Sequence, residues 1–200
     1  MKQIKLILAF VLVILTVVSC SKDEDSGSFN GSRNAIEDYV TSDLLETMEN
    51  MGLHVNPGDN PPMVQGSYRI EPCKLIATSV PSDNEGSVFN PVTFELTNLN
   101  LDDLSLTYAG SGGMQVDSGT GALISGEGDS VSIFLKLESE ISGYSSETIF
   151  VLSGNYTEVG FLNFQMAVFM LDNNGNPGGV FIEDGQGRIF IDDNGLVEKL

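Results

Sequence analysis

The spacing of apolar residues divides the chain into three parts. From Leu6 to Val18 every residue except Thr16 is apolar, a run of 13 behind Lys2 and Lys5. A permanent membrane-spanning helix needs about 20 such residues, so this shorter run with its basic lead predicts an export signal over 1–19. Between 34 and 52, Ile36, Tyr39, Val40, Leu44, Thr47, Met48 and Met51 recur at helical spacing, opposite an acidic face of Glu37, Asp38, Ser42, Glu46 and Glu49. One amphipathic helix is expected there, with Asn34 and Glu37 as a capping box and Gly52 as its stop. The Pro/Gly/Asn run over 56–62 then ends helical structure.

From Met63 onward the period is two, the repeat of a strand with one buried face. Val64, Tyr68 and Ile70 alternate with polar residues, as do Val92, Phe94 and Leu96, and Leu104, Leu106 and Tyr108. Val131, Ile133, Leu135 and Leu137 form a further set, followed by Leu162, Phe164, Met166, Val168 and Met170. Shorter candidate strands lie at 73–79, 113–117, 121–125, 147–153, 179–183 and 188–192. Turn clusters such as Ser82–Gly86, Gly126–Asp129 and Asn173–Pro177 separate them. Short strands with hairpin-length turns and no interleaved helices predict an all-β antiparallel domain over 63–200. A small β-barrel is the favoured form, because closure removes exposed sheet edges, and a β-sandwich is the alternative. The bends at Gly110-Ser111-Gly112-Gly113 suit the corners of such a sheet.

Charge narrows the function. There are 9 Lys and Arg against 28 Asp and Glu, a net charge of −19. That balance argues against nucleic acid as a partner, since phosphate binding needs cations to displace counterions. It also argues against docking on an anionic membrane through a basic patch. Charged residues make up only 18% of the chain and apolar ones 41%, which fits a folded domain rather than a disordered one.

Candidate chemistry is sparse. The chain has no Gly-x-Ser-x-Gly elbow and no phosphate-cradling Gly-Lys-Ser/Thr loop. His54 is the sole histidine and falls in the loop after the helix. Cys73, at a strand start, reads as a small buried hydrophobe. Glu138, Glu140 and Glu183 are carboxylates of the kind that could pair for glycoside hydrolysis, with nothing in the spacing to make two of them converge. Asp172, Asn174 and Asn176, with Glu183 at the twelfth position, partly match a calcium loop. Pro177 stands where that loop needs glycine, so a polar hairpin turn is the expectation. No cofactor, metal or catalytic set is therefore expected.

Three resemblances give the chain an address and a fold. Val17-Val18-Ser19-Cys20 resembles the lipobox of bacterial lipoproteins. It implies cleavage before Cys20, a diacylglycerol on its thiol, and a flexible tether over 20–33. Two or more acyl chains would then hold the protein to a membrane that it does not span. Ser21-Lys22-Asp23-Glu24-Asp25 is similar to the surface-export signal of Bacteroidota lipoproteins, implying an outer-membrane, surface-exposed location. The later order of helix, Pro61-Pro62 loop and Gly66-Ser67-Tyr68 strand resembles Bacteroidota lipoproteins with lipocalin-like barrels. There Tyr68 takes the place of the family's floor tryptophan, and Arg188 is a candidate for the basic residue that packs over it. A single β-domain with aromatic and Met residues on inward strand faces and no catalytic set leads to the expectation of a non-catalytic binding module for a small apolar molecule, a glycan or a peptide. Tyr68, Phe94, Tyr108 and Phe164 are its candidate ligand-binding or core residues. The alternative is an interaction subunit of a surface complex.

Overall fold

Twelve strands hydrogen-bond into one sheet in the computed structural model, which describes residues 28–200. The expected export signal, Cys20 and the expected tether up to residue 27 lie outside the described residues. The strands are β1 (Asp59–Asn60), β2 (Gly66–Ile70), β3 (Cys73–Thr78), β4 (Val88–Phe89), β5 (Val92–Asn100) and β6 (Ser105–Gly112). They continue as β7 (Gln115–Glu127), β8 (Ser130–Ile141), β9 (Tyr144–Thr157), β10 (Gly160–Asp172), β11 (Gly187–Asp192) and β12 (Leu196–Lys199). From β5 to β10 each strand pairs antiparallel with the next. β10 then serves two partners: Met166–Phe169 pairs with β11, and Gly160–Leu162 pairs with β12. Since β12 pairs with β2 and β2 with β5, the path of bonds returns on itself. A sheet bonded in this ring-like way has an inner and an outer face, and period-two residues sort between them.

The inner face carries the larger core, including Tyr68, Phe94, Leu96, Tyr108, Ile133, Leu135, Phe150, Phe161 and Phe164. A second core lies on the outer face. There Ile36, Val40, Leu45 and Met48 pack on Phe134, Ile149, Val151, Ala167, Phe169 and Ile189. This is why β8, β9 and β10 are buried on both sides while β5 and β6 keep a wet face.

The helical region departs from the sequence expectation. Two helices replace one: α1 (Arg33–Val40) and α2 (Ser42–Asn50). Ser32, rather than Asn34, caps the first, its hydroxyl accepting from the Ala35 N–H at 3.3 Å. Thr41 breaks the run at φ +82°. The break shifts the phase of the second helix by about one position, so Leu45 enters the core and Leu44 is only half-buried. Arg33 pairs with Glu37 within α1, at 2.7 Å, and ties α1 to α2 through its ion pair with Glu49.

The strands differ from expectation in three places. The stretches 115–117 and 121–125 belong to one strand, β7, with a register shift between Ser118 and Leu123, while 113–114 form the turn before it. Residues 179–183 lie in the loop between β10 and β11. A bulge between Leu162 and Gln165, with Asn163 at φ +49°, turns both Phe161 and Phe164 inward and leaves Leu162 exposed.

Residues 52–60 cross the outer face as a strap held by a row of polar side chains, one from each strand beneath. Ser125 donates to the Asn56 carbonyl (2.7 Å), and Ser132 accepts from the Asn56 N–H (2.9 Å). Ser153 accepts from the Asn56 amide (3.0 Å), while Gln165 accepts from the His54 N–H and donates to the Gly52 carbonyl, both at 2.8 Å. These four side chains lie side by side in the register of β7, β8, β9 and β10. The strap ends as β1, paired in parallel with β7.

A β-branched residue at the Thr41 dihedrals is strained by about 1–3 kcal/mol, and its side chain makes no cap hydrogen bond. Thr41→Gly should therefore raise the melting temperature, by an amount equivalent to about 1 kcal/mol after glycine's entropy cost, measured by circular dichroism.

Candidate functional site

The two ends of the inner space differ in chemistry. At one end aromatic side chains fill it. The Tyr68 ring stacks on Phe94 at 5.2 Å, and Phe94 stacks in turn on Tyr108 and Phe164, each at 6.0 Å. Phe161 tilts against Tyr68 at 4.8 Å. The Tyr68 hydroxyl donates to the Val64 carbonyl at 2.6 Å, so the ring is anchored as well as packed. The four candidate residues from the sequence are thus brought together, all buried, as one aromatic stack. None of them lines the cavity at the other end.

The basic residue over Tyr68 is Lys199, not Arg188. The Lys199 ammonium lies 5.9 Å from the Tyr68 ring and 5.6 Å from the Tyr156 ring, and it donates to the Tyr156 hydroxyl at 3.1 Å. Arg188 is drawn elsewhere because Asp83 accepts two of its hydrogen bonds, at 2.6 and 3.0 Å. Its guanidinium sits 5.3 Å from the Phe89 ring. The bond from Arg188 holds the Asp83 carboxyl below its usual range despite partial burial.

The opposite end, where the loops 113–114, 142–143 and 173–186 gather, holds a cavity of about 140 Å³. Its apolar wall comes from Cys73, Phe89, Val92, Phe150, Met166, Val168 and Phe190, and its polar groups are Asn90, Gln115, Asp117 and Arg188. Asp117 is only 4% exposed. Its Oδ1 accepts from the Ser139 hydroxyl at 2.5 Å and from the Gln115 amide at 2.7 Å. Ser139 also lies 2.8 Å from the Thr148 hydroxyl. Burial pushes the Asp117 carboxyl above its usual range, against the lowering effect of those two bonds.

Register explains why these groups meet. Gly110 pairs with Asp117, Asp117 with Ser139, and Ser139 with Ser146, giving one row of small and polar residues across β6 to β9. Gly110 leaves room for Tyr108, whose hydroxyl would lie 2.2 Å from a Cβ at that position. The Tyr108 ring therefore runs along β6 toward the cavity-lining Gly112. Its hydroxyl, and that of Ser146, are buried without a partner among the described residues. Burial and then the Asp117 charge push the Tyr108 phenol upward.

The other sequence candidates sit away from this cavity or serve structure. Cys73 lies on its wall, buried, with its thiol pushed up to about 12 by burial and by the Asp192 charge. Such a thiol stays protonated at neutral pH. His54 is exposed on the strap. Glu138 lies on the outer face opposite Glu147 on β9, and Glu183 is exposed in the 173–186 loop. That loop uses its own side chains: Asp172 accepts from the Asn174 N–H, and Asn176 exchanges bonds with the Phe181 backbone. Among the described residues no cluster of three or more His, Cys, Asp or Glu side chains has the arrangement to hold a metal ion.

Asp117 is the residue that sequence reading misses. Alternation within 113–117 suggests Val116 inside and Asp117 outside, yet Val116 is 58% exposed. The signal lay on the neighbouring strand: Ser139 continues the inner phase of Ile133, Leu135 and Leu137, so small polar residues had to be expected at this end. No protein-family model, curated protein or solved structure matches the chain.

A carboxyl whose folded pKa is raised costs stability at neutral pH. The cost fades as pH falls through the folded value toward the ordinary carboxylate value. Asp117→Asn, which keeps an acceptor for Ser139, should melt above the wild type at pH 7. The gap should close near pH 4, as followed by differential scanning calorimetry. Equal melting temperatures at pH 7 would mean that the carboxylate is not penalised by its burial.

Proposed function

We propose that this chain is a lipid-anchored outer-membrane lipoprotein whose lipocalin-like barrel is a non-catalytic binding module for a small, mainly apolar molecule. The observation that carries this reading is the cavity itself. It is a mostly apolar pocket with a few convergent polar groups and one carboxyl of perturbed pKa, the combination that marks binding sites. Its position supports the reading too, because one end of the inner space is filled by aromatic rings and the other is left hollow among loops.

The barrel is supported by the returning path of strand pairs and by the Gly66-Ser67-Tyr68 opening, where Lys199 on the last strand lies over the Tyr68 ring. Volume limits the occupant. A comparable apolar cavity of about 150 Å³ accommodates benzene, so 140 Å³ fits one ring or a short branched chain rather than a whole lipid. The anchor rests on Cys20 behind an apolar run of 13 residues. Among the described residues no helix is long and apolar enough to cross a membrane.

Native mass spectrometry of protein purified from its host should detect a small bound molecule that is released on denaturation. Val168→Phe, which projects a larger side chain into the cavity, should abolish that adduct while leaving the circular dichroism spectrum unchanged. A wild-type protein without an adduct, or an adduct that survives the substitution, would count against the site. For the anchor, Cys20→Ala should shift the protein from the membrane fraction to the soluble fraction, and retention on membranes would remove this part of the proposal.

A further inference from the structure

We infer that the cavity takes a small organic amine, its ammonium group held on the Asp117 carboxylate and its apolar body lying against Phe150, Met166 and Val168. This rests on the binding-module reading and adds the chemical class of the ligand.

Charge is the first argument. Two charged side chains reach the cavity, and only one of them is neutralised. Asp83 accepts two hydrogen bonds from Arg188, so the guanidinium is already paired. Asp117 is bonded only by neutral donors, Ser139 and Gln115, and both of those bonds fall on Oδ1. A carboxylate accepts and cannot donate. A ligand carboxylate or phosphate brought to this wall would meet a like charge in a poorly solvated place, whereas a cation with N–H donors would find its complement.

The free oxygen is the second argument. Asp117 lines the cavity, and among the described residues nothing donates to its Oδ2. A charge-assisted donor stabilises such an oxygen most, and an ammonium offers three donors. The remaining wall is apolar and sized for a ring, and among the described residues no group of side chains could chelate a metal ion instead.

Isothermal titration of the full-length protein in detergent, with benzylamine, benzyl alcohol and benzoate as probes, tests this directly. Benzylamine should bind at least about tenfold more tightly than benzyl alcohol, the worth of one charge-assisted hydrogen bond, and benzoate should not bind. Asp117→Asn should erase the difference between amine and alcohol. Val168→Phe, which fills the cavity and leaves the carboxylate in place, should abolish binding of amine and alcohol alike, which locates both probes in this cavity. Equal affinities for amine and alcohol in the wild type, both lost in Val168→Phe, would overturn the amine assignment and leave the binding module standing. If none of the three probes binds, both readings fail together.

Discussion

Closure through β10 creates the constraint that the rest of the structure obeys. The first half of this strand pairs with β12 and the second half with β11, so backbone donors and acceptors around the ring satisfy one another instead of facing water at an edge. Once the path is closed, every second side chain points into a space that solvent barely enters. Apolar side chains gain by entering it, and a polar side chain that enters must bring a partner. Tyr68 brings Val64, and Ser139 brings Asp117 and Thr148. Tyr108 and Ser146 bring none. The first stands within the aromatic stack, and the second is the register partner of Ser139.

The outer face answers a different problem. A sheet this large would expose apolar residues on β8 to β11, and the two helices cover them. Between helices and strand ends the covering chain is extended, and an extended strap has backbone groups that need partners. The row Ser125, Ser132, Ser153 and Gln165 supplies them. Serines that alternate with Ile133 or Leu152 look from sequence like a solvent-facing stripe. Here they are a docking track, and their burial with Asn56 fixes where the N-terminal segment crosses the sheet. Close approach at Gly58 and Gly126 depends on glycine, because a Cβ on Gly58 would fall 2.3 Å from the Gly126 carbonyl oxygen.

Much of this architecture was legible in the sequence because a period of two survives wherever one face is apolar. The strands around Phe94, Tyr108, Ile133 and Met166 could be read that way, as could the amphipathic character of 34–52. What could not be read was phase. Thr41 interrupts the helix and exchanges Leu44 for Leu45, and the Asn163 bulge exchanges Leu162 for Phe161. The shift between Ser118 and Leu123 puts Asp117 inside. Each error has one cause, an extra or non-regular residue that no composition rule marks. The same limit explains the candidate site. Aromatic residues on inward faces identify an interior, but packed rings and pocket walls have the same alternation, and only the three-dimensional arrangement separates them.

Asp117 is the place where stability and use pull apart. An apolar residue in its position would remove a buried carboxyl and also the need for Ser139 and Gln115 to solvate it. The protein instead surrounds the carboxyl with two donors, sets a glycine beside it at 110, and aims a phenol past that glycine. Such a group costs free energy in the empty protein, and a fold gains nothing structural from it that a serine could not provide. Interiors that carry costs of this kind do so most often where something must be recognised. The aromatic floor needs no such account, since burial of its rings is favourable in itself. A compact apolar floor and a polar, underfilled opposite end make sense together if the floor seals the sheet and the carboxyl selects what enters.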